Sequence, residues 1–320
     1  MPLHPQVKVL LEILDATGAP PLSSQTPADA RAAYREMARM KPPGGAVIAG
    51  ARDLDIPGAD GRIPLRVYTP RGAPPFPLLV FFHGGGFVIG DLDTHDAGCR
   101  ELCAGAGCVV VAVDYRLAPE HKFPAAVDDC LAATRWVGAH AAELRGDPSR
   151  IAVGGDSAGG NLATVVALRS RDEGGPRLCA QLLIYPVTDH YSRSTVSMRE
   201  NADGYLLTLD SMVWFADHYL RDAADIGHPH AVPLRAATLH GLPPAWVGTA
   251  EFDPLRDEGE AYAARLAAAG VPTTARRYDG AIHGFLSFFA VLDLGRQIMN
   301  DCCDWLRVRF ANTSVPGTGD

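Results

Sequence analysis

The sequence has no run of 18 apolar residues, so it contains no stretch that would cross a bilayer as a helix. It has no C-x-x-C pair, and its seven cysteines, an odd number in 320 residues, indicate neither a disulfide framework nor a zinc ribbon. Cys108, Cys130 and Cys179 lie in apolar contexts and read as small core hydrophobes; the adjacent Cys302 and Cys303 cannot share one face of a helix. Positive charge is in deficit, with a formal net charge of −8, which argues against a surface built to neutralise phosphates and therefore against a nucleic-acid partner. The densest basic cluster, Arg276-Arg277, falls inside a strand-like segment. No metal is expected, because His228-x-His230 lacks further ligands. A dinucleotide fingerprint is missing too: Gly84-x-Gly86 is followed by Ile89 where a third glycine belongs, and no G-x-x-x-x-G-K occurs. The apolar stretch Val7 to Leu14 contains Lys8 and Glu12 and no small-residue cleavage site, so it does not read as a secretory signal, and the cytoplasm is the expected compartment.

What is present is an ordinary globular composition, 47% hydrophobic and 21% charged. A chain of this length buries roughly 75% of the surface its unfolded form exposes. Glycine and proline, 33 and 25 residues, are in excess of average usage. The glycines concentrate at 84–86, 154–155 and 159–160, where backbone must turn tightly.

Two helices are expected in the first forty-five residues. Val7, Leu10, Leu11 and Leu14 occupy one helical face, and a second helix starts at the N-cap Thr26 and ends before a Pro/Gly linker at 41–45. A hairpin follows over 47–56 and 61–69. Then come unbroken apolar runs, Leu78–Phe82, Cys108–Val113, Ile151–Val153, Leu182–Tyr185 and Ala245–Thr249, which read as strands buried on both faces. Helical stretches at 124–140, 158–171 and 257–269 alternate with them, and a last helix is expected over 286–310 before a frayed tail. Strand-helix alternation predicts an α/β fold, a mostly parallel, doubly wound sheet of about eight strands. Some fifty-seven residues between Val187 and Ala245 interrupt the alternation. They carry Met198, Tyr205, Leu206, Met212, Trp214 and Phe215, and read as a helical flap over the sheet's carboxyl edge; packing of the insertion onto the core is the plainer role for each of these side chains.

The chemistry concentrates at Gly155-Asp156-Ser157-Ala158-Gly159, a G-x-S-x-G between the strand-like IAVG and the helix-like GNLATVVALRS. The glycines allow a turn tight enough to project Ser157 at the top of the sheet. A serine hydroxyl needs a base, and the base an orienting acid. In the chain order that accompanies such a serine, acid and histidine come later, which removes His4, His83, His95, His121 and His140. His190, His218, His228, His230 and His240 lie in or near the insertion, whereas His283 sits in a loop after the strand-like TTARRY. Asp253 ends the buried run AWVGTAEF ahead of Pro254 and leads as the acid; Glu251 and Asp257 stand as alternatives. His83-Gly84-Gly85-Gly86-Phe87 follows the strand LLVFF, where N–H donors for an oxyanion belong, and the N–H of Ala158 supplies a further donor.

HGGGF at 83–87, DYRLAPE at 114–120, GDSAGG at 155–160, EFDPLRDEG at 251–259 and HGF at 283–285 together resemble the hormone-sensitive lipase-like α/β-hydrolases, the bacterial family IV carboxylesterases, in their GDSAG subgroup. The resemblance implies an α/β-hydrolase fold with Ser157 as nucleophile, His283 as general base and Asp253 as orienting acid. It also implies Gly85, Gly86 and Ala158 as oxyanion donors, Gly84 as a shaper of the loop, and His83 as its support. The implied organisation is a catalytic core over 46–187 and 236–320, with a helical cap assembled from 1–45 and 188–235. The expected function is hydrolysis of short- to medium-chain acyl esters through an acyl-enzyme, without a cofactor and on a small-molecule ester. The alternatives are a catalytically silent binding or receptor protein and an amidase or peptidase using the same triad. Monomer and homodimer are equally compatible with the sequence.

Overall fold

The structure, a computed structural model, describes residues 2–40 and 45–312. The expected linker at 41–45, Gly45 excepted, lies outside the described residues, as does the expected frayed tail beyond Asn312; Ala311 and Asn312 are still helical.

The first helices, α1 (Pro5–Ala16) and α2 (Pro27–Met40), form where the 3.6-residue pattern places them. Val7 of α1 is buried, with Leu10 and Leu11 packed beside it. Thr26 caps α2: its Oγ1 accepts the Asp29 N–H at 3.2 Å and donates to the Asp29 carboxylate at 2.7 Å, a reciprocal capping pair.

The strands are β1 (Gly50–Gly58), β2 (Gly61–Thr69), β3 (Phe76–Phe82), β4 (Val109–Val113), β5 (Gly146–Asp156), β6 (Leu178–Ile184), β7 (Ala245–Phe252) and β8 (Thr273–Ile282). They build one eight-stranded sheet in the order β1-β2-β4-β3-β5-β6-β7-β8. The β1–β2 and β2–β4 pairs are antiparallel, and all the pairs from β4 onward are parallel. The connections carry α3 (Asp96–Ala106), α4 (Ala125–Ala139), α5 (Ala158–Asp172), α6 (Val196–Glu200), α7 (Leu209–Tyr219) and α8 (Arg256–Ala268); α9 (Asp293–Asn312) follows β8.

Burial on both faces explains the unbroken apolar runs. Leu78, Val80 and Phe82 pack with Cys130 of α4, Leu162 of α5 and Leu266 of α8. Leu79 and Phe81 face the other way, into the layer of Leu102 and Cys103 from α3 and Met299 and Cys302 from α9. Each such side chain contributes about 2 kcal/mol of transfer free energy, so every position of β3 resists a polar substitution. All seven cysteines are buried. Cys302 and Cys303 do turn to different sides, and both are buried because α9 also packs on α3, where the Cys303 thiol approaches the Glu101 carbonyl at 3.7 Å.

Two expectations need correction. The last helix does not begin at 286: a 3-10 turn occupies Phe285–Phe288 and α9 starts at Asp293. Phe285, Leu286, Phe288 and Phe289 are all buried, a set too wide for one face of an α-helix, and the tighter turn inserts all four. Helix α3 was not anticipated. Its buried Cys99, Leu102, Cys103 and Ala106 do fall at helical spacing, but small residues and two glycines dilute the apolar pattern.

Candidate active site

The parallel strands end in step, with Phe82 of β3 paired to Gly155 of β5 and Gly155 to Leu183 of β6. Their carboxyl ends therefore deliver the HGGG loop, Ser157, Asp253 and His283 to one edge, next to the β3/β5 position where the strand order reverses.

Ser157 stands between β5 and α5 with φ 56° and ψ −118°, a strained conformation costing about 1–3 kcal/mol. Its N–H donates to the Ile184 carbonyl at 2.8 Å, which locks the turn against β6. The flanking glycines are sterically required: a Cβ on Gly159 would overlap the Phe82 carbonyl, and one on Gly155 would overlap the Gly159 backbone.

His283 Nε2 lies 3.0 Å from Ser157 Oγ, and His283 Nδ1 lies 2.7 Å from Asp253 Oδ2. The carboxylate is an acceptor, so the Nδ1 proton points at it and Nε2 presents its lone pair to the serine hydroxyl. Asp253 is fully buried, and its second oxygen accepts the Leu255 N–H at 2.8 Å. The two alternative acids are engaged elsewhere. Glu251 accepts the Gly280 N–H at 2.7 Å, and Asp257 accepts the Ser197 N–H at 2.7 Å while pairing with Arg256.

The glycine loop is held from below. Tyr115 donates its hydroxyl proton to the His83 carbonyl at 2.7 Å and stacks on the His83 ring at 4.3 Å. His83 Nδ1 lies 2.7 Å from the Gly84 carbonyl and so carries the proton; burial pushes this imidazole down to about 4, and it is neutral at physiological pH. The Gly84 N–H is spent on Asp156 Oδ1 at 3.0 Å. Gly85 and Gly86 have φ of 116° and 58°, and Ala158 opens α5, where its N–H has no intrahelical acceptor.

The inserted segment meets this edge at several points. The Phe215 ring of α7 lies against Gly86, Leu206 approaches Gly284 beside His283, and Tyr205 packs on Phe252. Asn201 donates its side-chain N–H to the Asp253 carbonyl at 3.4 Å. Met198 and Trp214, by contrast, are buried in packing. The sequence reading missed Tyr115, Asp156 and Asn201. DYRLAPE and GDSAGG contain the first two, but their contacts span distances along the chain that no local pattern records. Among the described residues there is no metal-ligating cluster and no helix long and apolar enough to cross a membrane. A surface hollow of about 650 Å³ between the β1–β2 hairpin and α3 is lined by ion-paired Arg66, Asp53 and Asp96.

Residues 79–287 match the family described as alpha/beta hydrolase fold. The chain belongs to this family. Over 253 residues it is 50% identical to the carboxylic ester hydrolase LipN of Mycobacterium tuberculosis (strain ATCC 25618 / H37Rv), covering 77% of this chain and 67% of that one. It is 39% identical over 287 residues to the arylesterase of Saccharolobus solfataricus, covering 89% and 93%. The hyperthermophilic esterase from the archeon Pyrobaculum calidifontis superposes with a TM-score of 0.92 at 41% identity, covering 98% and 100%. Within the α/β-hydrolases the chain is a hormone-sensitive lipase-like serine carboxylesterase, a carboxylic ester hydrolase.

Proposed function

We propose that Ser157, His283 and Asp253 hydrolyse short- to medium-chain acyl esters through an acyl-enzyme. The observation that carries this reading is the continuous Ser157–His283–Asp253 hydrogen-bonded line, 3.0 Å and 2.7 Å long. Ser157 Oγ attacks the ester carbonyl as His283 Nε2 takes its proton. The carbonyl oxygen becomes an oxyanion facing the N–H groups of Gly85, Gly86 and Ala158. His283 then returns the proton to the departing alcohol, and the same nitrogen activates the water that frees the acid. Asp253 keeps the imidazole in the required tautomer and stabilises the imidazolium.

In this reading α1 and α2 within 1–45 and the segment 188–235 form the cap over a core of 46–187 and 236–320. The contacts of Phe215 with Gly86 and of Leu206 with Gly284 support it, because they set large apolar groups against the glycine loop and beside His283. Free, buried thiols at Cys99, Cys103, Cys108, Cys130, Cys302 and Cys303 support a cytoplasmic location. The exposed outer residues of β8, Thr274 to Arg277, offer an edge for pairing two copies, which sedimentation velocity would detect.

The test is a p-nitrophenyl ester series from acetyl to palmitoyl, run with the native chain and Ser157→Ala. Activity is expected to drop sharply past about eight carbons, and Ser157→Ala to be inactive throughout at a loss of about 10⁴ or more. Unchanged turnover in Ser157→Ala overturns the mechanism, and peak activity on long triglyceride emulsions overturns the chain-length assignment.

A further inference from the structure

Phe87 follows the glycines of the loop and keeps their backbone, with φ 65° after Gly86 at φ 58°. The Gly85 carbonyl accepts the Val88 N–H at 3.0 Å, closing a four-residue turn whose two central residues both have positive φ, the pattern of a type I′ turn. Gly, Asn and Asp dominate such turns, and for a bulky side chain the left-handed region is an outlier. A residue stays there only where its surroundings hold it.

The turn bears on the chemistry through one peptide plane. The Gly85 carbonyl, which also accepts the Ile89 N–H at 2.9 Å, belongs to the same planar trans unit as the Gly86 N–H, so the two point in opposite directions. Holding the carbonyl inside the turn therefore holds the Gly86 N–H pointing out of it. Were Phe87 to relax to negative φ, the Val88 bond would open and that plane would be free to rotate.

The constraint comes from the inserted segment. The ring of Tyr219, the last residue of α7, stacks on the Phe87 ring, 3.7 Å between centroids and 7° from parallel. It lies one helical turn after Phe215, whose ring rests against Gly86. Neighbouring side chains on one face of α7 thus cover both central residues of the turn. Phe123 packs edge-on against Tyr219 at 5.9 Å, and its N–H donates to the Tyr219 carbonyl at 2.9 Å. Lys122 anchors the helix end: Nζ donates to the Asp217 carbonyl at 2.8 Å and to the Leu220 carbonyl at 2.7 Å. The Tyr219 hydroxyl is buried and has no hydrogen-bond partner among the described residues, so what this side chain supplies is its ring.

We propose that Tyr219 is a positioning residue for the oxyanion site: stacked on Phe87, it keeps the Gly85–Val88 turn closed and couples the seating of α7, anchored by Lys122, to the aim of the Gly86 N–H. The inference rests on the reading of Gly86 as an oxyanion donor.

Variants of the full chain are measured with p-nitrophenyl butyrate and with a short-chain alkyl trifluoromethyl ketone, whose adduct with the serine carries a tetrahedral oxyanion and so reports on the loop. Tyr219→Leu removes the stack and is expected to lower kcat about fivefold, the order of one aromatic pair, with KM within about twofold and affinity for the ketone reduced by the same factor as kcat. Tyr219→Phe keeps the ring and should keep both native values. On a Phe87→Gly background, where glycine holds positive φ unaided, adding Tyr219→Leu should cost less than about twofold. Native kcat and ketone affinity in a folded Tyr219→Leu overturn the proposal, as does a lowered kcat without a matching loss of ketone affinity. A fivefold loss that persists on the Phe87→Gly background also overturns it and confines Tyr219 to packing. If Tyr219→Leu does not fold, Lys122→Met decides, since it touches neither ring: a common drop of about threefold in kcat and ketone affinity supports the coupling, and native values overturn it. Failure of the esterase reading itself would show instead as an active Ser157→Ala.

Discussion

The ring of Phe215 lies against the backbone of Gly86, so closely that a methyl group on that glycine would overlap Cγ and Cδ1 of the ring. A side chain carried by α7, more than a hundred residues later in the chain, thus forms a wall directly over the glycine loop. Phe215→Ala removes the wall and is expected to favour longer acyl chains. Each additional buried methylene contributes about 0.8 kcal/mol, so kcat/KM for octanoyl over acetyl should rise about fourfold for each one newly accommodated. An unchanged chain-length series would place the acyl group elsewhere.

Gly86→Ala tests the other partner. The new Cβ meets the Phe215 ring, and the backbone, at φ 58°, disfavours a side chain. Loss of the loop's aim should lower kcat by about a hundredfold, with far-UV circular dichroism unchanged. Adding Phe215→Ala relieves the overlap and leaves the backbone strain, so activity should return only in part.

Asp253→Asn keeps the shape of the acid and removes its charge. The amide no longer compels a proton onto His283 Nδ1, so the imidazole loses its tautomer and the imidazolium its counter-charge. A fall in kcat of about 10⁴ is expected, with KM little changed. A loss below tenfold would mean that another carboxylate orients His283.

Tyr115→Phe deletes the 2.7 Å hydrogen bond to the His83 carbonyl while keeping the stacked ring. The carbonyl is left buried without that donor, at a cost of about 1 kcal/mol, which in a chain of this size lowers Tm by roughly 2 °C. Because His83 begins the glycine loop, kcat should fall together with Tm. A variant with lowered Tm and native kcat would confine Tyr115 to packing.

Glu258 governs one part of the pH dependence of stability. Burial raises its carboxyl from 4.5 to about 8, against the opposing pull of the Asp189 and Thr188 N–H groups. The folded chain keeps a proton that the unfolded chain releases above 4.5. The contribution is therefore fully present below 4.5 and is lost as pH rises toward about 8. Glu258→Gln keeps an uncharged group of the same shape, so its Tm should match the native chain near pH 5 and exceed it near pH 9, at roughly the two ends of that window. A difference independent of pH would contradict this origin.

The fold was legible wherever a local pattern carries the physics. Unbroken apolar runs announce strands covered on both sides, and Thr26 followed by Pro27 and Asp29 announces a helix start. Element boundaries were less legible: the short apolar run Ile151–Val153 extends to Gly146–Asp156 because its partners β3 and β6 continue the ladder past the apolar residues. The hidden helix α3 and the late start of α9 have the same cause, since buried cysteines and phenylalanines are placed by neighbours from distant segments.

By itself the sequence determined the strand–helix alternation, the tight G-x-S-x-G turn and the ordered candidates Ser157, Asp253 and His283, because backbone sterics and amphipathic periodicity act over a few residues. It left Glu251 and Asp257 open beside Asp253, and it gave no contact partner for Asp156, Tyr115 or Phe215. Only the tertiary structure decided these, since their contacts join segments that the folded sheet brings together, as when His283 reaches Ser157 across 126 residues of chain. Hydrogen-bond geometry is set by where strands end in space, and no spacing along the chain encodes that position.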